Sequence, residues 1–160
     1  MTIPKIVGLA IVLILSSTQL VAVRAEDWPQ WRGPNRDGVW SNSGILENLP
    51  PDGLEIRWRA PIGIGFSSPV VAGGRVFVTD SELAKPNARE RILAFDAMTG
   101  HPIWCYAYDV NYPDAAFDEK YPRGLITTPV VDNGRIYTLG ASGNVYSLEA
   151  VKGGLIWQKD

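Results

Sequence analysis

The sequence contains only one cysteine and one histidine, which excludes an internal disulfide and argues against a histidine-based catalytic site. Cys105 has no second cysteine to pair with, so a disulfide within the chain is impossible. Because Cys105 follows Trp104 in an apolar stretch, we predict that it is a small buried hydrophobic residue rather than a reactive thiol. His101 lies in a Gly-His-Pro turn, where we interpret it as an ordinary polar turn residue, and a histidine-based catalytic triad is therefore not expected.

A basic stripe is also lacking. The 160 residues include 15 Lys and Arg and 17 Asp and Glu. Lys5 and Arg24 lie near the N-terminus and every acid lies after residue 25, so the remainder has 13 basic and 17 acidic residues and a net charge of −4. The sequence therefore argues against a nucleic-acid partner.

Only the N-terminus carries a long apolar run. Lys5 is followed by a run of ten residues, Ile6 to Leu15, and then by polar residues that lead to Val23-Arg24-Ala25. This order is typical of a signal peptide, and the run is shorter than the about 20 residues that cross a bilayer. We predict a signal peptide over residues 1–25 that is cleaved after Ala25, with an uncleaved anchor as the alternative. The protein would then be periplasmic or extracellular, with no membrane span after cleavage.

Two segments of the remaining sequence repeat each other. Ser67–Thr79 (SSPVVAGGRVFVT) is matched 60 residues later by Thr127–Leu139 (TTPVVDNGRIYTL). Leu93–Gly100 is matched 53 residues later by Tyr146–Gly153, and a tryptophan follows each of these after four residues. The shorter second offset indicates a longer hairpin in the first copy, from Ser81 to Arg91.

Each copy is predicted to form four short antiparallel strands. The first strand is Pro-Val-Val, and a tight turn at Gly73-Gly74 or Asn133-Gly134 leads to the second, in which side chains alternate between the two faces. The third strand ends at Asp96 or Glu149, a glycine turn follows, and the fourth strand carries the tryptophan. Four strands on a period of about 40 to 50 residues indicate one blade of a β-propeller.

A third tryptophan extends the pattern toward the N-terminus. Trp58, in Leu54–Arg59 (LEIRWR), lies 46 residues before Trp104, and its segment resembles a fourth strand that lacks its own first three. The sequence therefore predicts an all-β, incomplete β-propeller of about two blades plus a ring-closing strand. Since propellers typically have about 4 to 8 blades, we expect an N-terminal fragment of a longer protein. A truncated gene product and a ring closed by self-association are the alternatives.

The repeat units SPVVxGGRVFV and AFDAxTGxPIW resemble the PQQ-like (pyrroloquinoline quinone) propeller repeat. That repeat occurs in quinoprotein dehydrogenases and in the barrel-assembly lipoprotein of the bacterial outer membrane. The resemblance covers residues 54–160 and implies a quinoprotein alcohol dehydrogenase-like propeller. The opening DWPQWRGPNRDGV, within a Trp/Pro/Gly-rich segment over residues 26–53, is similar to the opening of exported PQQ-like proteins of planctomycete-type bacteria.

The resemblance does not bring a cofactor site with it. Quinoprotein dehydrogenases use adjacent cysteines, a calcium site of side-chain oxygens, an aspartate base and a tryptophan platform, and Cys105 is a single cysteine. No residue here can be matched to that set, so we assign no catalytic, cofactor-binding or metal-binding residue. PQQ and calcium are possible only in a completed protein.

Two further features have structural interpretations. Gly63 and Gly65 form only G-x-G without a following helix, so they do not indicate a nucleotide-binding loop. Trp28 and Trp31 are predicted to plug the ring, with an exposed recognition patch as the alternative. Trp104 and Trp157 are interpreted as residues that pack between neighbouring blades, and Gly100 and Gly153 as turn positions that need an unusual backbone.

The connection Tyr108–Gly124 is the first place to look for partner binding, together with the Ser81 to Arg91 hairpin, because propellers carry specificity in their loops. Tyr112, Tyr121 and two prolines are expected to pin it. Its acids lack the spacing of a calcium loop and are interpreted as solvated: Asp109, Asp114, Asp118 and Glu119.

Three functional hypotheses follow. The first is an exported, non-catalytic binding or scaffold module with an unidentified protein or small-molecule partner. The second is a quinoprotein-like oxidoreductase whose active site lies beyond Asp160, and the third is an outer-membrane assembly factor. The absence of a cysteine near the predicted cleavage site counts against the third, since the lipoprotein needs one to accept its lipid.

Residues 26–160 produced alone are expected to aggregate or to fold loosely. In the second copy, the face with Val130, Ile136 and Trp157 has no third copy to cover it, and open strand edges and apolar faces promote association. Sedimentation and thermal unfolding check this expectation. A monomer with a sharp cooperative transition would contradict it.

Overall fold

The computed structural model describes residues 26–41, 46 and 48–160, which form two four-stranded antiparallel sheets. The predicted all-β fold with two propeller blades is confirmed, whereas the predicted signal peptide lies outside the described residues. The strands run in sequence order within each sheet. A short 3-10 helix at Asp114–Phe117 belongs to the segment that connects the two sheets along the chain. Blade 1 consists of β1 (Val70–Ala72), β2 (Arg75–Ala84), β3 (Asn87–Asp96) and β4 (Pro102–Val110); blade 2 consists of β5 (Val130–Asp132), β6 (Arg135–Leu139), β7 (Val145–Glu149) and β8 (Leu155–Lys159).

The first hairpin turn of each blade adopts the left-handed backbone that its sequence predicts. Gly73 and Gly74 have φ values of 58° and 75°, and Asn133 and Gly134 have values of 46° and 74°. Two consecutive positive φ values are typical of a type I′ turn, whose twist matches that of the two strands of a hairpin. The longer hairpin predicted for the first copy is present, because β2 and β3 each extend over ten residues.

The alternation predicted for β2 decides which residues meet between the blades. Phe77 and Ile92 of blade 1 belong to one buried cluster with Ile136 and Leu148 of blade 2. Val78 projects from the opposite face of blade 1, in a second cluster with Leu93 and Phe95. The main core of the described residues is therefore the interface between the two sheets.

The tryptophan of the fourth strand of blade 1 packs on blade 2. Trp104 of β4 donates its indole N–H to the carbonyl of Ala150 at 3.2 Å, and a methyl group at Gly153 would lie 2.5 Å from its Cδ2. Trp58 contacts blade 1 in the same way, with a 3.1 Å hydrogen bond to the carbonyl of Ala97 and its ring over Gly100. The predicted packing of Trp104 between blades is confirmed.

The turn after β3 is held by a carboxylate. Asp96 accepts hydrogen bonds from the backbone N–H of Met98 and from both the N–H and the hydroxyl of Thr99, at 2.8 to 3.0 Å. These bonds, led by the one from the Thr99 side chain, lower the pKa of Asp96. Gly100 and Gly153 follow with φ values of 71° and 72°, as their turn position predicts.

Three sequence predictions about exposure or strand formation were wrong. Leu54–Arg59 is not a strand, because no strand of a further sheet lies beside it among the described residues, although Trp58 is in place. Cys105 is exposed rather than buried, since it lies on the face of β4 opposite Trp104. Ile136 is fully buried against blade 1 rather than uncovered.

The uncovered face of blade 2 is formed by other residues. Tyr137 and Trp157 of that face pack together with their ring centroids 6.2 Å apart, and Trp157 is still 40% exposed. Leu139 and Val145 pair across β6 and β7 beside them. The predicted open face therefore exists, with Tyr137 rather than Ile136 at its centre.

Replacing Gly153 with alanine is expected to lower the free energy of unfolding by about 2–5 kcal/mol. The left-handed backbone accounts for about 1–2 kcal/mol, and the clash with Trp104 adds about 1–3 kcal/mol. Gly134→Ala is the matched control, because Gly134 has φ 74° with no atom within 4 Å of the added methyl group. Denaturant unfolding of the native full-length protein measures both variants. Equal losses in the two variants would contradict the packing role of Trp104.

Candidate functional site

The connection between the blades is anchored by one tyrosine. It starts after Val110, and Tyr112 enters the interface, where its hydroxyl lies 3.2 Å from Oγ of Ser81 and donates to Glu90 at 2.8 Å. The pinning role predicted for Tyr112 is therefore confirmed. Tyr121 does not share that role, because it is 66% exposed.

Glu90 is a fully buried carboxylate that joins the two blades to the connection. It accepts hydrogen bonds from the hydroxyls of Tyr108 and Tyr112, and from the backbone N–H of Ala141 in blade 2 at 3.0 Å. Gly140 allows this approach, since a methyl group there would lie 2.7 Å from Oε2 of Glu90. A buried charge is costly unless it is well hydrogen-bonded, and three donors satisfy this one.

The tyrosines around Glu90 are shifted toward their neutral form. Burial, and then the hydrogen bond to Glu90, raise the pKa of Tyr108 well above its ordinary value. The pKa of Tyr112 is raised to about 12, chiefly by burial, while its hydrogen bond with Ser81 opposes the shift. Both hydroxyls therefore remain protonated donors across the physiological range.

A second buried carboxylate holds the segment that precedes β1. Asp80 accepts two hydrogen bonds from Arg91, at 2.8 and 2.6 Å, and a third from the backbone N–H of Gly63. The Asp80 hydrogen bond is the largest cause of the raised pKa of Arg91. Gly63 lies directly on the carbonyl of Ser81, and Gly65 pairs with Leu125. The two glycines therefore permit close backbone contact, which agrees with the prediction that they are not a nucleotide-binding loop.

A cavity of about 520 Å³ lies between the connection and the β6–β7 turn. The connection forms one wall, with Tyr112, Ala116 and Arg123, and the turn from Gly140 to Ser142 forms the other. Because Tyr112 and Ala141 are both held by Glu90, the two walls are fixed relative to each other. The arrangement can bind a ligand or a partner side chain, and it places no nucleophile next to a base.

A second cavity of about 550 Å³ adjoins this one, and Arg123 and Ile126 line both. Phe66 and Tyr121 line only the second cavity. We name the surface formed by Phe66, Tyr121, Arg123 and Ile126 the connection surface. Tyr121 and Ile126 are 66% and 67% exposed, and Phe66 is more exposed still. Exposed apolar patches of this kind mark interaction sites on soluble proteins.

The four acids named in the sequence are not brought together. Asp109 is the last but one residue of β4 and pairs with Arg89, whereas Asp114 pairs with Lys85. Asp118 accepts hydrogen bonds from the backbone of Lys120 and Tyr121. The prediction of solvated acids is confirmed for Asp109 and Asp114, both with side chains 89% exposed, although Asp109 belongs to a strand rather than to the loop.

The residues described here do not fit the PQQ and calcium that the family resemblance implies for complete relatives. Asp80 and Glu90, the buried carboxylates, already have their oxygens bound by Arg91, by tyrosine hydroxyls and by backbone N–H groups. Cys105 has no neighbouring cysteine with which to form the adjacent pair. Within residues 26–41, 46 and 48–160, no three His, Cys, Asp or Glu residues are grouped as a metal site.

Sequence reasoning missed Asp80 and Glu90, although a signal for each was present. Glu90 occupies an inward position of β3, in step with Ile92 and Ala94, and Asp80 continues the row of Val76 and Val78 in β2. An acid in an apolar row of a strand indicates a buried, hydrogen-bonded group. Extending the alternation of the second and third strands through Asp80 and Glu90 would have revealed both residues.

The two N-terminal tryptophans differ in exposure. Trp28 stacks on Trp40 with ring centroids 5.5 Å apart, and its ring lies against Gly33, so it packs within its own segment. That Trp28 plugs the ring stays a prediction. Trp31 is 62% exposed, which contradicts the plug interpretation for that residue.

Comparisons with known proteins place this geometry in context. A family model described as "Outer membrane protein assembly factor BamB" matches residues 50–160. A solved "Europium-containing methanol dehydrogenase" is similar at 14% identity and a TM-score of 0.31, over 60% of this chain and 24% of that one. A structure titled "The crystal structure of BamB from Moraxella catarrhalis" is similar at 15% identity and a TM-score of 0.21, over 59% of this chain and 46% of that one.

The chain thus spans about a quarter of the first of these structures and less than half of the second. No curated protein sequence matches it significantly. In the part of the chain that the structure describes, no helix is both long and apolar enough to cross a membrane.

Stability is expected to fall as the pH rises from about 10 to 12. The pKa of Tyr112 is about 12 in the folded protein and near 10.0 in the unfolded chain. The stability that Tyr112 contributes is therefore complete below pH 10 and is lost as Tyr112 of the folded protein ionises near pH 12. Denaturant midpoints measured between pH 8 and 12 check this. Tyr112→Phe should flatten part of the decline, and Tyr121→Phe, at an exposed tyrosine, is the control. An identical decline in Tyr112→Phe and the wild type would contradict the assignment.

Proposed function

The chain belongs to the PQQ-like β-propeller repeat family, and on that premise we propose that it is part of an exported, non-catalytic binding or scaffold protein. Residues 1–25 would serve as its export signal, residues 26–53 are an N-terminal Trp/Pro/Gly-rich segment, and residues 54–160 are a partial propeller. Its location is the periplasm or the cell exterior, where signal-directed export would deliver it.

The connection surface is the observation that carries this proposal. Ile126, which is exposed, lines the cavity of about 520 Å³ whose two walls are hydrogen-bonded to Glu90, and the exposed Tyr121 lines the adjoining cavity. A rigid scaffold that presents an exposed aromatic and an aliphatic anchor is suited to binding another protein, because such anchors supply most of the energy of an interface. Arg123 adds a planar hydrogen-bond donor at the same place.

An outer-membrane assembly role is the second candidate. It is favoured by the description of the family model that matches residues 50–160. In that case the partner of the connection surface would be a subunit of the barrel-assembly machinery. The two candidates share one surface, so a single experiment addresses both.

Substituting the exposed anchors is expected to remove partner binding without changing the fold. The native full-length protein and its Tyr121→Ala/Ile126→Ala variant would be affinity-purified from the envelope of the source organism. Because interface anchors contribute about 1–2 kcal/mol each or more, recovery of the partner should fall at least about tenfold in the variant. Quantitative mass spectrometry of the co-purified proteins gives the result.

Met98→Ala/Val151→Ala is the matched control, since both residues are exposed and occupy corresponding turns of the two blades. It should retain the partner. Barrel-assembly subunits among the lost proteins would select the second candidate. Equal recovery from both variants would contradict a binding role for the connection surface.

A further inference from the structure

The turn from Gln30 to Gly38 lies where the two blades expose their first strands. Trp28 forms an antiparallel bridge with Val71 of β1, with N–O distances of 2.7 and 2.9 Å. The carbonyl of Pro29 accepts from the N–H of Val131 in β5 at 2.8 Å. β1 and β5 are edge strands of their sheets, so the segment that leads into the turn is held along one edge of both sheets.

Two arginines of this turn adopt a backbone conformation that arginine rarely has. Arg32 has φ 66° and Arg36 has φ 59°. The turn is closed by backbone hydrogen bonds from Gly33 to Gln30 at 3.0 Å and from Gly38 to Arg32 at 2.9 Å. Glycine or asparagine would adopt these φ values with less strain. The backbone of the turn therefore does not account for arginine at either position.

The guanidinium groups are only partly used within the turn. Arg36 donates Nε–H to the side-chain oxygen of Gln30 at 2.9 Å, and Arg32 donates one N–H to the carbonyl of Asp37 at 3.2 Å. The carboxylate of Asp37 accepts instead from the N–H of Val39. Across residues 26–41, 46 and 48–160, no carboxylate forms an ion pair with either arginine. Each guanidinium carries five N–H donors, so most of them have no partner within the turn.

Arg32 and Arg36 both line one pocket. Its volume is about 320 Å³, and its other walls are Gln30, Trp31, Thr128 and Val130. The Arg32 guanidinium carbon lies 5.8 Å from the centre of the Trp31 ring, which is 62% exposed. The pocket thus combines two positive charges with an open aromatic face.

We propose that this pocket binds a phosphate or sulfate group, either as the free ion or as an ester on a larger molecule. Such a group has at least three oxygens that can accept from two guanidiniums at once, whereas one guanidinium alone matches the two oxygens of a carboxylate. Trp31 lines the same pocket and would contact the remainder of an ester. The proposal does not depend on the proposed binding function, although Trp31 also lines a cavity that Phe66 and Ile126 of the connection surface border.

Isothermal titration of the native full-length protein tests the proposal with four probes at constant ionic strength: inorganic phosphate, inorganic sulfate, glucose 6-phosphate and glucose 6-sulfate. At least one is expected to bind, and its affinity should fall at least tenfold in the Arg32→Asn/Arg36→Asn variant. Esters that bind more tightly than the free ions, with the difference lost in Trp31→Ala, identify an ester as the ligand. Equal affinities identify the free ion.

The melting temperature separates a binding role from a structural one. Asparagine tolerates a positive φ, so the Arg32→Asn/Arg36→Asn variant should melt at or above the wild-type temperature while losing the anion. Arg57→Asn, at an exposed arginine outside the turn, is the control and should bind as the wild type does. The proposal would be overturned if no probe binds at about 10 mM, because any affinity would then be weaker than the millimolar range. Wild-type affinity in the Arg32→Asn/Arg36→Asn variant would overturn it too. A lower melting temperature with unchanged affinity would do so as well.

Discussion

The packing of a tryptophan on a glycine of the next sheet is the contact on which the arrangement of the two blades depends. A four-stranded sheet has two faces to bury, and Trp104 fills the space between blade 1 and the turn of blade 2. Gly153 must be glycine for two independent reasons, since its φ is 72° and the indole lies where a side chain would be. Trp58 and Gly100 repeat the same contact one blade earlier. The repeat in the sequence is thus a repeat of one interface.

A polar contact completes that interface at Glu90 of β3, four residues before Ala94, which pairs with Trp104. Glu90 reaches across to the N–H of Ala141 and also holds Tyr112 of the connection. Dispersion and burial at Trp104 bring the sheets together, while the directional hydrogen bonds of Glu90 fix the position of the connection relative to blade 2. The two walls of the 520 Å³ cavity, at Tyr112 and Ala141, are therefore held by the same inter-blade contact.

The local patterns of the sequence predicted the strands and turns, because alternation and glycine turns depend on a few neighbouring residues. They failed where exposure depends on which sheet face a distant element covers: Cys105 lies on an uncovered face, and Ile136 lies on a covered one. Glu90 was missed because its three donors come from separate parts of the chain.

Hydrogen exchange of the individual tryptophan indole N–H groups, followed by NMR in the native full-length protein, tests the central contact most directly. The account predicts slow exchange for Trp58 and Trp104, whose indole N–H groups are bound to the carbonyls of Ala97 and Ala150. Trp31, which is 62% exposed, should exchange rapidly in the same sample. Exchange of Trp104 as fast as that of Trp31 would contradict the account, because the blades would then not be joined by a tryptophan packed on the next sheet.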